Sequence, residues 1–66
     1  MKITINGKEK KLEKEMNLAS LPEMQEIPLK GIVVELNMEI IRSSMFEQTI
    51  IKDGDIIEVI KIVGGG

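Results

Sequence analysis

The chain has 66 residues, nine Lys and Arg against eleven Asp and Glu, a net charge of -2, one Phe, and no Tyr, Trp, Cys or His. These counts exclude disulfides, thiolate chemistry, histidine acid–base catalysis and ordinary zinc sites, and they leave neither the basic stripe nor the stacking aromatics of a nucleic-acid binder. One small domain fits this length, and its core must come from twelve Ile, five Leu, five Met and four Val. No apolar run approaches the roughly 20 residues of a membrane span and no signal-type apolar segment opens the chain, so a cytoplasmic address is the expectation.

Residues 1–6 alternate Ile3 and Ile5 against Lys2, Thr4 and Asn6, the period of a half-buried strand. Asn6-Gly7 then predicts a type I′ hairpin turn, because both residues accept positive φ. The return strand, residues 8–13, carries Lys8, Glu9, Lys10, Lys11 and Glu13 around Leu12, a charged edge that resists pairing with other chains.

Residues 17–25 place Leu18, Leu21 and Met24 three apart, one stripe of a short helix. Two starts compete: Asn17 as the cap, or Ser20 as the cap with Glu23 closing an S-x-x-E box and Pro22 in the first turn. A turn around Pro28 and Gly31 follows. Residues 31–37 read as a buried strand with Ile32, Val34 and Leu36 on one face, and Asn37-Met38 should turn the chain into a short strand over 39–42. Residues 43–48 suit a loop or one helical turn with Phe46 plugging the core edge. Asp53-Gly54-Asp55 is a tight turn rather than a metal pair, and residues 56–62 form the last strand. On it Ile57 and Val59 share one face, and Ile56, Glu58, Ile60 and Ile62 the other. Hairpin, helix, then strands is an α+β plan, ββαββ with room for one more strand and a main helix on one sheet face. If Ile57 and Val59 pack under the helix, Ile60 and Ile62 are left on the open face.

Three of the six glycines are the last three residues. Residues 1–63 are expected to form the domain and 64–66 a flexible tail, since glycine has the largest conformational freedom to lose on ordering. A tail without side chains can thread a narrow channel and deliver an α-carboxylate to a site in another protein. That carboxylate reacts only after activation, for example as an acyl-adenylate, from which sulfur displaces AMP to give a thiocarboxylate or an amine displaces it to give an isopeptide. On the residues alone, a frayed terminus and packing of Ile60 and Ile62 against a loop stay open.

I-x-I-N-G at the start, G-I-V-V-E-L-N-x-E-I-I-R in the middle, K-D-G-D-I-I-E-V-I near the end and a final V-G-G-G occur in that order. Together they resemble the ThiS family, the thiamine-biosynthesis sulfur carriers of the ubiquitin-like β-grasp fold. The resemblance implies a mixed four- to five-stranded sheet and a carrier that is a protein co-substrate, not an enzyme. It implies no catalytic residue, metal or bound cofactor in this chain. A ThiF-type adenylyltransferase would use ATP to adenylate Gly66. A sulfur donor such as a cysteine desulfurase relay would convert it to a thiocarboxylate, and thiazole synthase (ThiG) would receive the sulfur. Gly64 and Gly65 would thread the tail, and Ile60 and Ile62 would face partners. Against the usual helix of the family, Pro22 and Pro28 make a poorer one. A molybdopterin-synthase small subunit, usually longer, a carrier for another sulfur pathway, and a ubiquitin-like modifier are the alternatives that the same glycine end allows.

Overall fold

The computed structural model describes residues 1–26 and 31–62. Strand β1 (Lys2–Ile5) and strand β2 (Lys8–Lys11) pair antiparallel around Asn6 and Gly7, whose φ values of 50° and 82° are the left-handed pair that a type I′ turn needs. Strand β4 (Ile32–Leu36) and strand β5 (Glu39–Ile41) form a second hairpin around Asn37 and Met38. Strand β7 (Ile56–Lys61) lies between the hairpins, parallel to β1 and antiparallel to β4, giving the order β2-β1-β7-β4-β5. The sheet is therefore mixed, and its charged strand β2 is an edge, as the Lys- and Glu-rich sequence predicts.

Both turn asparagines do more than accept positive φ. The Oδ1 of Asn6 accepts the Val59 N–H at 2.8 Å, and the Oδ1 of Asn37 accepts the Ile56 N–H at 2.9 Å. Each hairpin thus reaches past its own last residue and holds the central strand. The Asp53-Gly54-Asp55 turn is likewise tied down by its carboxylates. Asp53 Oδ1 accepts the Lys2 N–H, while Asp55 accepts the Lys52 N–H on Oδ2 and the Asn37 amide on Oδ1. Those oxygens serve backbone and turn.

The helical segment differs from both starts the sequence offers. Asn17 does cap, accepting the Ser20 N–H at 2.9 Å, but what it caps is a 3₁₀ turn, Leu18–Ser20. Leu21 then returns to extended backbone (ψ 131°), and helix α1 (Pro22–Glu26) begins with proline at its first position, where no N–H is required. The Ser20–Glu23 box does not form: Ser20 Oγ bonds Asn17, and Glu23 receives Lys10 Nζ on both oxygens at 2.9 and 2.8 Å. Five residues cannot sustain a helix in isolation. Packing holds this one, because Leu18, Leu21 and Met24 are all buried. The stripe is correct although the helix that carries it is broken in two. Pro28 lies outside the described residues.

A two-residue pairing escapes the sequence altogether. Strand β3 (Met16–Asn17) meets strand β6 (Ile50–Ile51) antiparallel, as a separate small sheet beside the 3₁₀ segment Ser43–Gln48. Phe46 on that segment is buried, as expected for a plug at the core edge. The core joins Ile3, Ile5, Leu12, Leu18, Leu21, Met24, Val34, Phe46, Ile51 and Ile57, and no polar or charged residue is buried among the described residues. Full burial of such an aliphatic side chain is worth about 1.5–3 kcal/mol. All of it lies on one side of the large sheet. No helix among the described residues is long and apolar enough to cross a membrane.

Candidate functional site

Among the described residues nothing covers the other side of the sheet. Alternation along β7 sends Ile57 and Val59 to the core and Ile56, Glu58 and Ile60 outward, while β4 sends Val33 and Glu35 to the same open face. The register makes Val33 and Ile60 direct neighbours, and likewise Glu35 and Glu58, with Ile40 of β5 completing the second row. Ile60 is 40% exposed and Ile62, one residue beyond the strand, 55%. The structure thus places both on the open face, as the alternation requires.

Met38 overhangs this face at the end of the β4–β5 hairpin. It is 92% exposed and has φ 71°, a left-handed conformation that a residue with a Cβ adopts at a cost of about 1–2 kcal/mol. Together Glu35, Asn37, Met38, Ile56 and Glu58 enclose a shallow depression of about 210 Å³. Apart from the strand alternation that puts Ile56 and Glu58 beside Ile60, the sequence carries no sign of this grouping, because nineteen residues separate β4 from β7 and their register is not a local pattern.

At the far end of β7 the Ile62 N–H donates to the Gly31 carbonyl at 2.8 Å, so the chain is pinned to the start of β4 as it leaves the sheet. Gly31 has φ 77°, which favours glycine at that point. Gly64, Gly65 and Gly66, the residues singled out for tail chemistry, lie outside the described residues. Among the described residues no three His, Cys, Asp or Glu side chains come together as a metal site. One carboxyl is clearly perturbed: the Lys10 ammonium bonded to it holds Glu23 below the usual carboxylate range. It lies on the helix side of the sheet, away from the open face.

A five-stranded mixed sheet with helical segments on one face and the other bare is the architecture of the small ubiquitin-like β-grasp domains. The comparisons with known proteins narrow this. The ThiS family model matches residues 3–66, and the chain belongs to that family. The sulfur carrier protein ThiS of Bacillus subtilis is 32% identical over 65 residues, which are 97% of this chain and 98% of that protein. The crystal structure of the thiamine biosynthesis protein ThiS from Geobacter metallireducens superposes with a TM-score of 0.82 at 32% identity, covering all of both chains. A thiazole synthase of Paramagnetospirillum magneticum is 33% identical over all 66 residues, and this chain spans 20% of its length.

Proposed function

We propose that this chain is a sulfur carrier for thiazole formation in thiamine biosynthesis, with Gly66 as the residue that bears the sulfur. The observation that carries the reading is the family match, which runs through the three glycines to residue 66. In this reading a ThiF-type adenylyltransferase joins the Gly66 carboxylate to the α-phosphate of ATP and releases pyrophosphate. The outer persulfide sulfur of a donor such as a cysteine desulfurase relay then attacks the acyl carbon and expels AMP, and a thiol cleaves the resulting acyl disulfide, forming a disulfide with the donor's sulfur and releasing a thiocarboxylate. Thiazole synthase (ThiG) takes that sulfur, and the relative in which a ThiS-like segment lies within a thiazole synthase supports this partner. Gly64 and Gly65 are the threading residues, since a chain without side chains needs the narrowest channel. The carrier binds no cofactor, and ATP is consumed by its activating partner.

The test uses the absence of cysteine. The chain is incubated with the adenylyltransferase, ATP and a sulfur source, treated with a thiol-alkylating reagent, and weighed intact. Alkylation is essential because replacing oxygen by sulfur is nearly isobaric with oxidising one of the five methionines. A single adduct on the C-terminal peptide is the expected result, and deletion of Gly66 should abolish it while the domain melts as before. Full sulfur transfer by the Gly66 deletion would refute the mechanism.

A further inference from the structure

The open face holds an arrangement that disfavours the isolated domain. Glu35 and Glu58 stand directly opposite one another in the β4–β7 register, where like charges repel. The ion pairs among the described residues are Lys2–Glu9 and Lys10–Glu23, so neither Glu35 nor Glu58 has a cation beside it there. Asn37 also lines the depression, its amide donating to Asp55 and accepting the Ile56 N–H, and the rest of the lining beside the two carboxylates is apolar. Ile40 flanks Glu35 in the same row, Ile60 and Val33 form the next row, and Ile56 and Met38 wall the depression on its other side. Ile40, Ile56, Ile60 and Met38 are all exposed.

Two neighbouring carboxylates between apolar walls specify what would fill them. A guanidinium is planar, permanently charged and able to donate to two carboxylates at once, and its methylene stem packs on apolar side chains. An ammonium would satisfy the charge without the fork. We propose that the open face docks a partner protein through an arginine seated between Glu35 and Glu58, with Met38 and Ile56 against its stem and Ile40 and Ile60 contacting an apolar ring around it. For the identity of that partner the inference rests on the sulfur-carrier reading: it is an enzyme that handles Gly66. An acidic seat on this face fixes the orientation in which a partner meets the sheet, a role that complementary charge fills better than apolar area, which has no direction.

The experiment titrates the purified adenylyltransferase and the purified thiazole synthase with the full chain and with Glu35→Gln and Glu58→Gln, by calorimetry at low and at physiological salt. Each chain is also melted. Either substitution should weaken binding to at least one enzyme by roughly 10-fold or more and flatten its salt dependence, with a melting temperature equal to or above that of the unsubstituted chain, because a repulsion has been removed. Replacing the seated arginine of that enzyme by Ala should erase the difference between the unsubstituted chain and Glu58→Gln. Unchanged affinity of both variants for both enzymes overturns the arginine seat and leaves the sulfur-carrier reading intact. A fall of several degrees in both melts also overturns it, since the pair would then be structural. If the unsubstituted chain binds neither enzyme, the seat and the sulfur-carrier reading fall together.

Discussion

On β7, Ile57 is wholly buried while Ile56 and Ile60 stand half in solvent, though all three are the same residue on the same strand. The difference is which side of the sheet each meets. On the covered side nine aliphatic side chains interlock with Phe46, and no polar residue is buried among the described residues. On the open side the chain spends further isoleucines where they stabilise little, and sets Glu35 and Glu58 among them. Isoleucine content alone therefore says nothing about core size in this protein. Strand parity decides which isoleucines are buried.

Four substitutions would break or sharpen that contrast. Ile57→Ala on the covered side should cost about 3 kcal/mol, read by denaturant unfolding, because it opens a cavity at the centre of the sheet. Ile60→Asp on the open side should cost only about 1 kcal/mol, the span of strand preferences, while weakening docking of a partner far more. An Ile60→Asp loss as large as that of Ile57→Ala would mean that the open face is core. Met38→Gly should gain about 0.5 kcal/mol, since relief of its positive φ outweighs the added freedom of glycine in the unfolded chain. The smallest effect belongs to the Lys10–Glu23 pair on the covered side. Glu23 has its pKa lowered on folding, so its contribution is complete above the unfolded value near 4.5 and is lost as pH falls through the folded one. Both side chains are about a third exposed, which limits the pair to about 0.3–0.5 kcal/mol. Glu23→Gln should lower stability at pH 7 by that amount and flatten the acid limb of the stability curve below about pH 4.5.

What could be read beforehand follows the range of the signals. Strands β1, β4 and β7 show in the alternation of Ile3 and Ile5, of Ile32, Val34 and Leu36, and of Ile57 and Val59, and Asn6-Gly7 marks its turn because the demand for positive φ is local. The placement of Ile60 and Ile62 follows from the same parity. The β3–β6 pair does not show, since two residues carry no period and their partner lies more than thirty positions away. The helix was legible as a stripe but not as a 3₁₀ turn followed by α1, because Leu18, Leu21 and Met24 at spacings of three suit either geometry. Nor was the Glu35–Glu58 pairing legible, as it is made by register between strands that are neighbours only in space. The additional task of Asn6 and Asn37, holding β7 by their side chains, was hidden behind the turn preference that explains them equally well.

The strand order has a bearing on how the molecule comes to exist. During synthesis the β1–β2 and β4–β5 hairpins are completed first, yet they are not neighbours: the place between them belongs to β7, made after all the other described strands. Until Lys61 has emerged, each hairpin has one ladder edge without its partner, and an isolated hairpin is at best marginally stable. Thr4 and Ile5 must wait for Ile56 and Ile57, some fifty residues downstream. The sheet then closes in a single late event that joins both halves at once, so the domain acquires its fold only when the segment leading to the glycines has been made.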